Sequence, residues 1–552
     1  MKNAEKYQKQ FFAPPPADDR WAEKNAIEAA PLWCSVDLRD GNQALEAPMD
    51  PEEKLALFDL LVKIGFTEIE IGFPAASDSE WTFVRRLIEE DRIPDGVTVQ
   101  VVTQAREPII RRTFEALRGV KKATVHLYNS VSKAQREQVF CRTKEEILAL
   151  SAEGAALMRA MQEEYGTDYT FEYTPESFTG TEPEFALSVI EAVLDVWEPT
   201  PARKAIVNLP VTVELSLPHV YAKQVAYISS HLARRDSVIL SLHAHNDRGC
   251  AVADIELGLL AGGERVEGTL FGNGERAGNV DLVTLALNLY SQGVDPLLDF
   301  SSLPAIAETC ELLTHRPVYD RHPYAGKLVF AAFSGSHQDA IAKGIHYRET
   351  HPGALWSVPY LPVDPADLGR DYEGDVIRIT SQSGKGGIGY LLEKHFGLQI
   401  PAKMRECVGR AIKEISDRER RELSPDEVHT AFLELFCNVE TPLRLLDYDF
   451  IRTPQIHATL RLERDGAVRE YTAGGNGRLD AIAAAVREAV GVSFSDMTYA
   501  EHALESGSSS QAVSYVSVTM PDGSVSWGAG VSDDIIASSV SALLSAVNRA
   551  LG

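Results

Sequence analysis

VILSLHAHNDRGCAVADIELGLLAGGERVEGTLFGNGERAGN, residues 238–279, reads as strand, polar turn, helix, strand and glycine-rich loop in immediate succession. VILSLHA and VEGTLF are short apolar runs rich in β-branched or aromatic residues, the composition of buried strands. AVADIELGLLAGG between them spaces its apolar residues as a helix does. The same unit recurs upstream. WCSVDL, TEIEIGF, VTVQVV, ATVHLY, YTFEY and AIVNLPV read as earlier strands, and amphipathic stretches such as EEKLALFDLLVKIG and ALSVIEAVLDVW separate them. VDLVTLALNLYSQG supplies the last helix. Eight such units over roughly 270 residues match an α/β TIM (β/α)8 barrel. A doubly wound open sheet competes, but it rarely runs so long without a glycine-rich nucleotide turn after its first strand.

In a barrel, polar residues just past each strand line the active face. Those positions hold Arg39 and Asp40, Glu70, Gln104, His126, Glu176, Thr212 and Glu214, His243 and His245, and Asn273 to Asn279. His243 and His245 are two apart, so on a strand they share a face. The first strand closes beside the eighth and lies near the seventh, which lets Asp40 of DLRDG complete a site. Two imidazoles and a carboxylate suit zinc, manganese, iron or cobalt, while magnesium prefers more oxygen. Taken alone, HAHND reads sooner as two satisfied core histidines and DLRD as a strand-end ion pair; together they favour the metal site. GNGERAGN lacks the GK[ST] ending of a phosphate loop. SGKGG at 383–387 is as plausibly a surface turn as an anion contact. Glu176 of TPE could be a general base or a water-positioning group, and Thr212 could orient a carbonyl.

The chain has 552 residues and a formal net charge of −26, with 44% hydrophobic residues. Such length implies more than one domain, and such acidity argues against nucleic acid and anionic membranes as partners. No apolar run is long enough for a membrane span, and the first residues lack a secretory h-region. The six dispersed cysteines form no C-x-x-C pair, which suits free thiols, buried as small hydrophobes, in a reducing cytoplasm.

The reading divides the chain into an N-terminal arm (1–30), the barrel (31–305), a linker subdomain (306–390), a helical subdomain (391–450) and a C-terminal α+β domain (451–552). The linker reads as extended chain with short helices. Ser424 and Glu427 form a capping-box pattern. In the tail, IHATLRLERDGAVREYTAGGNGRLDAIAAAVREAVG resembles SYVSVTMPDGSVSWGAGVSDDIIASSVSALLSAVNRALG. Each copy reads strand, DG turn, strand, glycine-rich link, helix. A duplicated unit without a catalytic set suggests regulation, with glycines near Gly474 and Gly528 to Gly530 open to a small ligand.

DLRDGNQAL, EIGFP, HLYNS, EYTPE, NLPVTVE, HAHND, GNGERAGN, FSGSHQDAI, GRDYE and SQSGKGG, in this order, resemble the 2-isopropylmalate synthase family of metal-dependent Claisen-condensing barrels. The resemblance covers nearly the whole chain. It implies condensation of acetyl-CoA with 2-ketoisovalerate; homocitrate and citramalate synthases are the related alternatives. It further implies metal ligands Asp40, His243 and His245, with Asn279 as a weaker one, for magnesium, manganese or zinc, and potassium as an optional activator. Arg39 would meet the developing alkoxide and Thr212 the carboxylate. His126, Thr174, Asn208 and Pro210 would surround the isopropyl group. The linker subdomain of one chain would reach the active site of its partner in a homodimer, with His337 and Tyr372 at the matching positions. Glu176 and His337 both remain candidates for the base. Leucine would be the effector of the tail.

Overall fold

Among the residues the computed structural model describes (4–7, 12–16, 19–332, 334–372, 385–419, 421, 423–452, 454–504 and 510–552), eight parallel strands close into a barrel. They are β1 (Leu32–Ser35), β2 (Glu68–Gly72), β3 (Thr98–Gln104), β4 (Ala123–Ser130), β5 (Thr170–Glu176), β6 (Ala205–Val211), β7 (Val238–Ala244) and β8 (Arg265–Gly268). β1 pairs with both β2 and β8, which is the closure. Helices α1 (Pro51–Ile64), α2 (Asp78–Glu89), α3 (Glu107–Ala116), α4 (Lys144–Tyr165), α5 (Pro183–Trp197), α6 (Pro218–His231), α7 (Ala251–Leu260) and α8 (Leu282–Ser291) follow the strands in turn. Local signals set their starts. Asp50 and Glu53 form a capping box ahead of α1, and Thr143 and Glu146 one ahead of α4. Residue 333 of FSGSHQDAI, residue 373 of GRDYE and residues 381–384 of SQSGKGG lie outside the described residues.

The first strand is shorter than WCSVDL suggests. It ends at Ser35, and Asp37–Gly41 winds into a single π-helical turn. The Val36 carbonyl accepts from the backbone N–H of Arg39, Asp40 and Gly41 at 3.2, 2.9 and 3.1 Å. The residues of DLRDG therefore do not alternate as strand residues would. Asp37 instead accepts from the Ser35 hydroxyl at 2.8 Å and from the Leu270 amide at 3.1 Å. Burial pushes its carboxyl up to about 7, against those hydrogen bonds.

The chain forms two compact units, residues 1–329 with 365–371 and residues 330–364 with 372–552. In the first, α9 (Leu303–Thr314) follows the barrel. The second holds α10 (Gly335–Thr350), α11 (Lys385–Phe396), α12 (Ala402–Glu419) and α13 (Pro425–Phe436). The linker is thus less extended than its composition suggests, since α10 alone spans 16 residues. The Ser424–Glu427 capping box starts α13.

The tail is two copies of one unit, each with a strand more than its repeat shows. β9 (Leu443–Arg452), β10 (Ile456–Arg464) and β11 (Ala467–Gly475) precede α14 (Arg478–Val490). β12 (Ser495–Ala503), β13 (Ala512–Thr519) and β14 (Val525–Ser532) precede α15 (Ile535–Leu551). β9 begins inside the stretch read as helical subdomain, so a boundary at 451 cuts a strand. The inner faces share one core: Ala458, Leu460 and Val486 of the first copy pack with Val516, Val518 and Leu543 of the second. The outer faces differ. That of the second copy, through Val513, Tyr515, Trp527 and Ala529, packs on α11, α12 and α13. That of the first presents Asp447, Arg461 and Glu470 in register, all exposed.

Gly528 and Gly530 do not form an open link. They lie within β14 against α15, where a Cβ on Gly530 would come within 2.0 Å of the Ser538 carbonyl and one on Gly528 within 2.2 Å of the Ala546 nitrogen. The protein's own helix fills the room that the glycines leave. Gly530→Ala should therefore force α15 off its sheet and destabilise the tail by about 1–3 kcal/mol, as overpacked cores are. Limited proteolysis of the C-terminal region checks this, and an unchanged cleavage rate would contradict it.

No helix among the described residues is long and apolar enough to cross a membrane. All six cysteines are free, but only Cys34 and Cys310 are buried; Cys141 is exposed.

Candidate active site

The C-terminal ends of the barrel strands surround a cavity of about 260 Å³, walled by Arg39, Asp40, His126, Thr174, Glu176, Asn208, Pro210, Thr212, His243 and His245. Three elements bring the ligand candidates together. The π-helical turn after β1 carries Asp40, β7 carries His243, and the residue just beyond β7 is His245. Nε2 of His243 lies 3.4 Å from Asp40 Oδ2, and Nε2 of His245 lies 3.7 Å from the same oxygen. Atoms about 2.1 Å from one ion lie roughly 3 to 3.5 Å from each other, so the His243 spacing fits a shared cation and the His245 spacing exceeds it only slightly. All three residues are buried, and their ligand atoms fall within 4.8 Å of one another. Asp40 Oδ2 has no hydrogen-bond partner. A buried carboxylate oxygen left unpaired is costly, and a cation removes the cost. Asn279 pairs with His245 across a β-bridge, and its buried Oδ1 is likewise unpartnered.

Electrostatics separate the two histidines. Burial opposes charge on His243, but the carboxylates of Asp40 and Glu267 that face its two nitrogens carry it up to about 9. Burial and the neighbouring His243 push His245 down to about 4. Burial also opposes the charge of Asp40, yet Arg39 and His243 beside it hold its carboxyl far below the usual range. This local field attracts a cation in place of the His243 proton.

Arg39 is held from two sides. Its Nη1 donates to Asp40 at 2.8 Å, and its Nε donates to Glu70. Glu70 in turn meets His126 Nδ1 at 2.8 Å, and His126 Nε2 meets the Thr174 hydroxyl at 2.6 Å. Asn208 donates to Thr174 at 3.2 Å. Glu176 accepts from the Ser130 hydroxyl. Thr212 Oγ1 accepts from the Ser177 amide at 2.8 Å, which leaves its own proton free to donate. Two strand-end residues serve elsewhere: Gln104 donates to Tyr128 at 2.7 Å, and Glu214 takes the Cys250 amide at 3.0 Å. His337 and Tyr372 belong to the second compact unit, where the His337 ring stacks on Tyr360 at 4.0 Å.

The cavity wall also includes Glu275 and Arg276, from the strand-end stretch Asn273 to Asn279, and Gln43, Phe73, Val102 and Tyr128, which the sequence reading does not single out. Arg276 ties three loops together. It donates to Asp247 at 2.7 Å and to the Thr212 carbonyl at 2.6 Å. Beneath the cavity lies a charged floor, also missed: Gln100, Glu172, Arg265 and Glu267, all fully buried. Its signal is present in the sequence as charged or amide residues in the middle of apolar strands, in VTVQVV, YTFEY and RVEG.

The family models match in succession along the chain. HMGL-like covers residues 30–310, "Alpha-isopropylmalate synthase, post-catalytic domain-like" covers 327–393, and "LeuA allosteric (dimerisation) domain" covers 422–551. A 2-isopropylmalate synthase of Desulfitobacterium hafniense is 59% identical over 548 residues, spanning 99% of this chain and 98% of its own. One of Helicobacter hepaticus is 55% identical over 99% of both chains. One of Clostridium acetobutylicum is 50% identical over 96% of both. With the barrel, the duplicated tail and likeness of this extent running from end to end, the chain belongs to the 2-isopropylmalate synthase family.

Proposed function

We propose that this chain condenses acetyl-CoA with 2-ketoisovalerate to give 2-isopropylmalate and CoA. The observation that carries the reading is the buried Asp40–His243–His245 trio, with its unpaired oxygen, at the wall of a cavity of about 260 Å³. A divalent ion held by these three residues, with Asn279 as a weaker oxygen ligand, supplies a Lewis acid at the keto carbonyl and the developing alkoxide. Magnesium, manganese and zinc are the candidates, with potassium as an activator.

The residues around it divide the remaining work. Arg39, fixed by Asp40 and Glu70, keeps further N–H groups free for the alkoxide oxygen. Thr212 donates to the substrate carboxylate. His126 and Thr174 satisfy each other, so with Asn208 and Pro210 they offer a wall that an isopropyl group meets at little desolvation cost. Glu176 removes a methyl proton from acetyl-CoA. The carbanion carbon then bonds to the keto carbon, the alkoxide takes up a proton, and water cleaves the thioester to release CoA. His337 and Tyr372 act on the site of a partner chain in a homodimer. Co-expressed H337A and H245A chains test that sharing: mixed dimers should recover turnover, and proven mixed dimers without activity would remove it.

The substrate test is CoA release with 2-ketoisovalerate, pyruvate and 2-oxoglutarate in parallel. The highest kcat/KM should fall on 2-ketoisovalerate, and a higher value on either of the others would replace this reading. The tail, by its match to an allosteric domain, binds leucine and lowers turnover. Leucine must favour the inhibited state to do so. Unchanged turnover at millimolar leucine, with no calorimetric binding signal, would leave the tail structural.

A further inference from the structure

We infer that Glu267 is the positioning residue of the metal site: its carboxylate accepts the Nδ1 proton of His243 and so fixes that ring with Nε2 turned toward the ion, while it holds Asn208 at the cavity wall through the same oxygen. The inference rests on the reading of Asp40, His243 and His245 as metal ligands.

Glu267 is fully buried on β8, and four donors converge on it. Oε2 accepts from His243 Nδ1 and from Asn208 Nδ2, each at 3.0 Å. Oε1 accepts from Arg265 at 2.8 Å and from Gln100 at 3.0 Å. A carboxylate has about four lone-pair sites, so this one is filled. Two consequences follow from that saturation. Glu267 must be ionised, because a proton on either oxygen would face a donor. Nδ1 of His243 must then carry a proton, so Nε2, 3.4 Å from Asp40, is the nitrogen turned toward the ion site. Ligating histidines are oriented and made more basic by a carboxylate on their second nitrogen in this way. An imidazole free to turn or to carry its proton on Nε2 would lose the ligand position.

The same saturation decides a second question. His126, Glu172 and Glu267 also converge closely enough to hold an ion. Glu267 has no lone pair left for one, and Arg265, 2.8 Å from Glu267 and 3.4 Å from Glu172, already supplies the positive charge. The floor is therefore support for the upper site rather than a second centre.

The test is Mn²⁺ affinity of the full chain, read from the electron paramagnetic resonance signal of free Mn²⁺, for wild type, H245A, E267Q and S241A. E267Q keeps the shape but loses the charge, and it should weaken Mn²⁺ binding about 10–100-fold, as loss of such partners does. Ser241 touches Arg265 at 2.8 Å but not His243, so S241A should stay within about twofold of wild type. If E267Q does not fold, E267D keeps a charge beside Arg265 while withdrawing from Nδ1, and the same loss is expected. Binding by E267Q within twofold of wild type, or an equal loss in S241A, overturns the positioning role. A wild type that binds no Mn²⁺, or an H245A chain that binds as well as wild type, instead overturns the metal reading beneath it.

Discussion

His245→Ala is expected to lower turnover by about three orders of magnitude while leaving the barrel folded. A Lewis-acid site contributes several kcal/mol to the transition state, and each 1.36 kcal/mol is tenfold in rate. His245 is the cleanest of the three positions to remove. Its Nδ1 has no hydrogen-bond partner, so the substitution deletes a ligand and strands nothing. His243→Ala would also deprive Glu267 of a donor at 3.0 Å and so mix a folding defect into the result. Chelator treatment of the wild type should give a comparable loss, restored by divalent metal. Full turnover of a metal-free sample, or of H245A, would refute the metal-assisted reaction.

Arg265→Met should destabilise the barrel by about 3–5 kcal/mol, the cost of breaking a buried ion pair from one side. The guanidinium is wholly buried. It donates to Glu68 at 2.6 Å, to Glu267, Ser241 and Gln100 at 2.8 Å each, and lies 3.4 Å from Glu172. Methionine fills the volume but leaves Glu267 charged and one donor short. Burial already holds Glu172 well above the usual carboxylate range. Of the two fully buried acids, Glu267 faces the guanidinium more closely, at 2.8 Å against 3.4 Å for Glu172, so the stranded charge is chiefly that of Glu267. For a domain of this size the shift in Tm is on the order of 10 °C. A loss below about 1 kcal/mol would mean that the floor can relax or take up protons at little cost.

The barrel was readable because its strands are buried on both faces and separated by amphipathic helices. HAHND and DLRDG were readable as neighbours because closure fixes which strands touch. What local pattern could not show was the π-helical turn at Asp37–Gly41, which depends on three amides sharing the Val36 carbonyl. Nor could it pair Glu267 with His243, since that contact crosses strands. β9 escaped notice because LRLLDYDFIR faces outward along most of its length, with Leu443 its single buried residue. In β12, SDMTYAEHA mixes alanine, serine and charge too evenly to stand out. The glycines of β14 misled for another reason: an unfilled Cβ position in a sequence looks the same whether a ligand or a helix occupies it.

The unequal outer faces of the two tail copies bear on how this region comes apart. The second copy's sheet is simultaneously the inner wall of the tail core and the floor on which α11, α12 and α13 rest. Heat or denaturant cannot melt those helices without uncovering Tyr515 and Trp527, and cannot melt the sheet without uncovering Phe432 and Phe436. Helices and tail should therefore lose structure in one calorimetric transition, and Trp527 fluorescence should report both at the same midpoint. Genetic removal of the tail meets the same linkage. A stop codon near Arg452 would leave Leu391, Val408 and Phe432 facing water, and the product would aggregate before its leucine response could be measured. Point substitutions that leave this double-sided sheet intact are the informative way to separate regulation from folding.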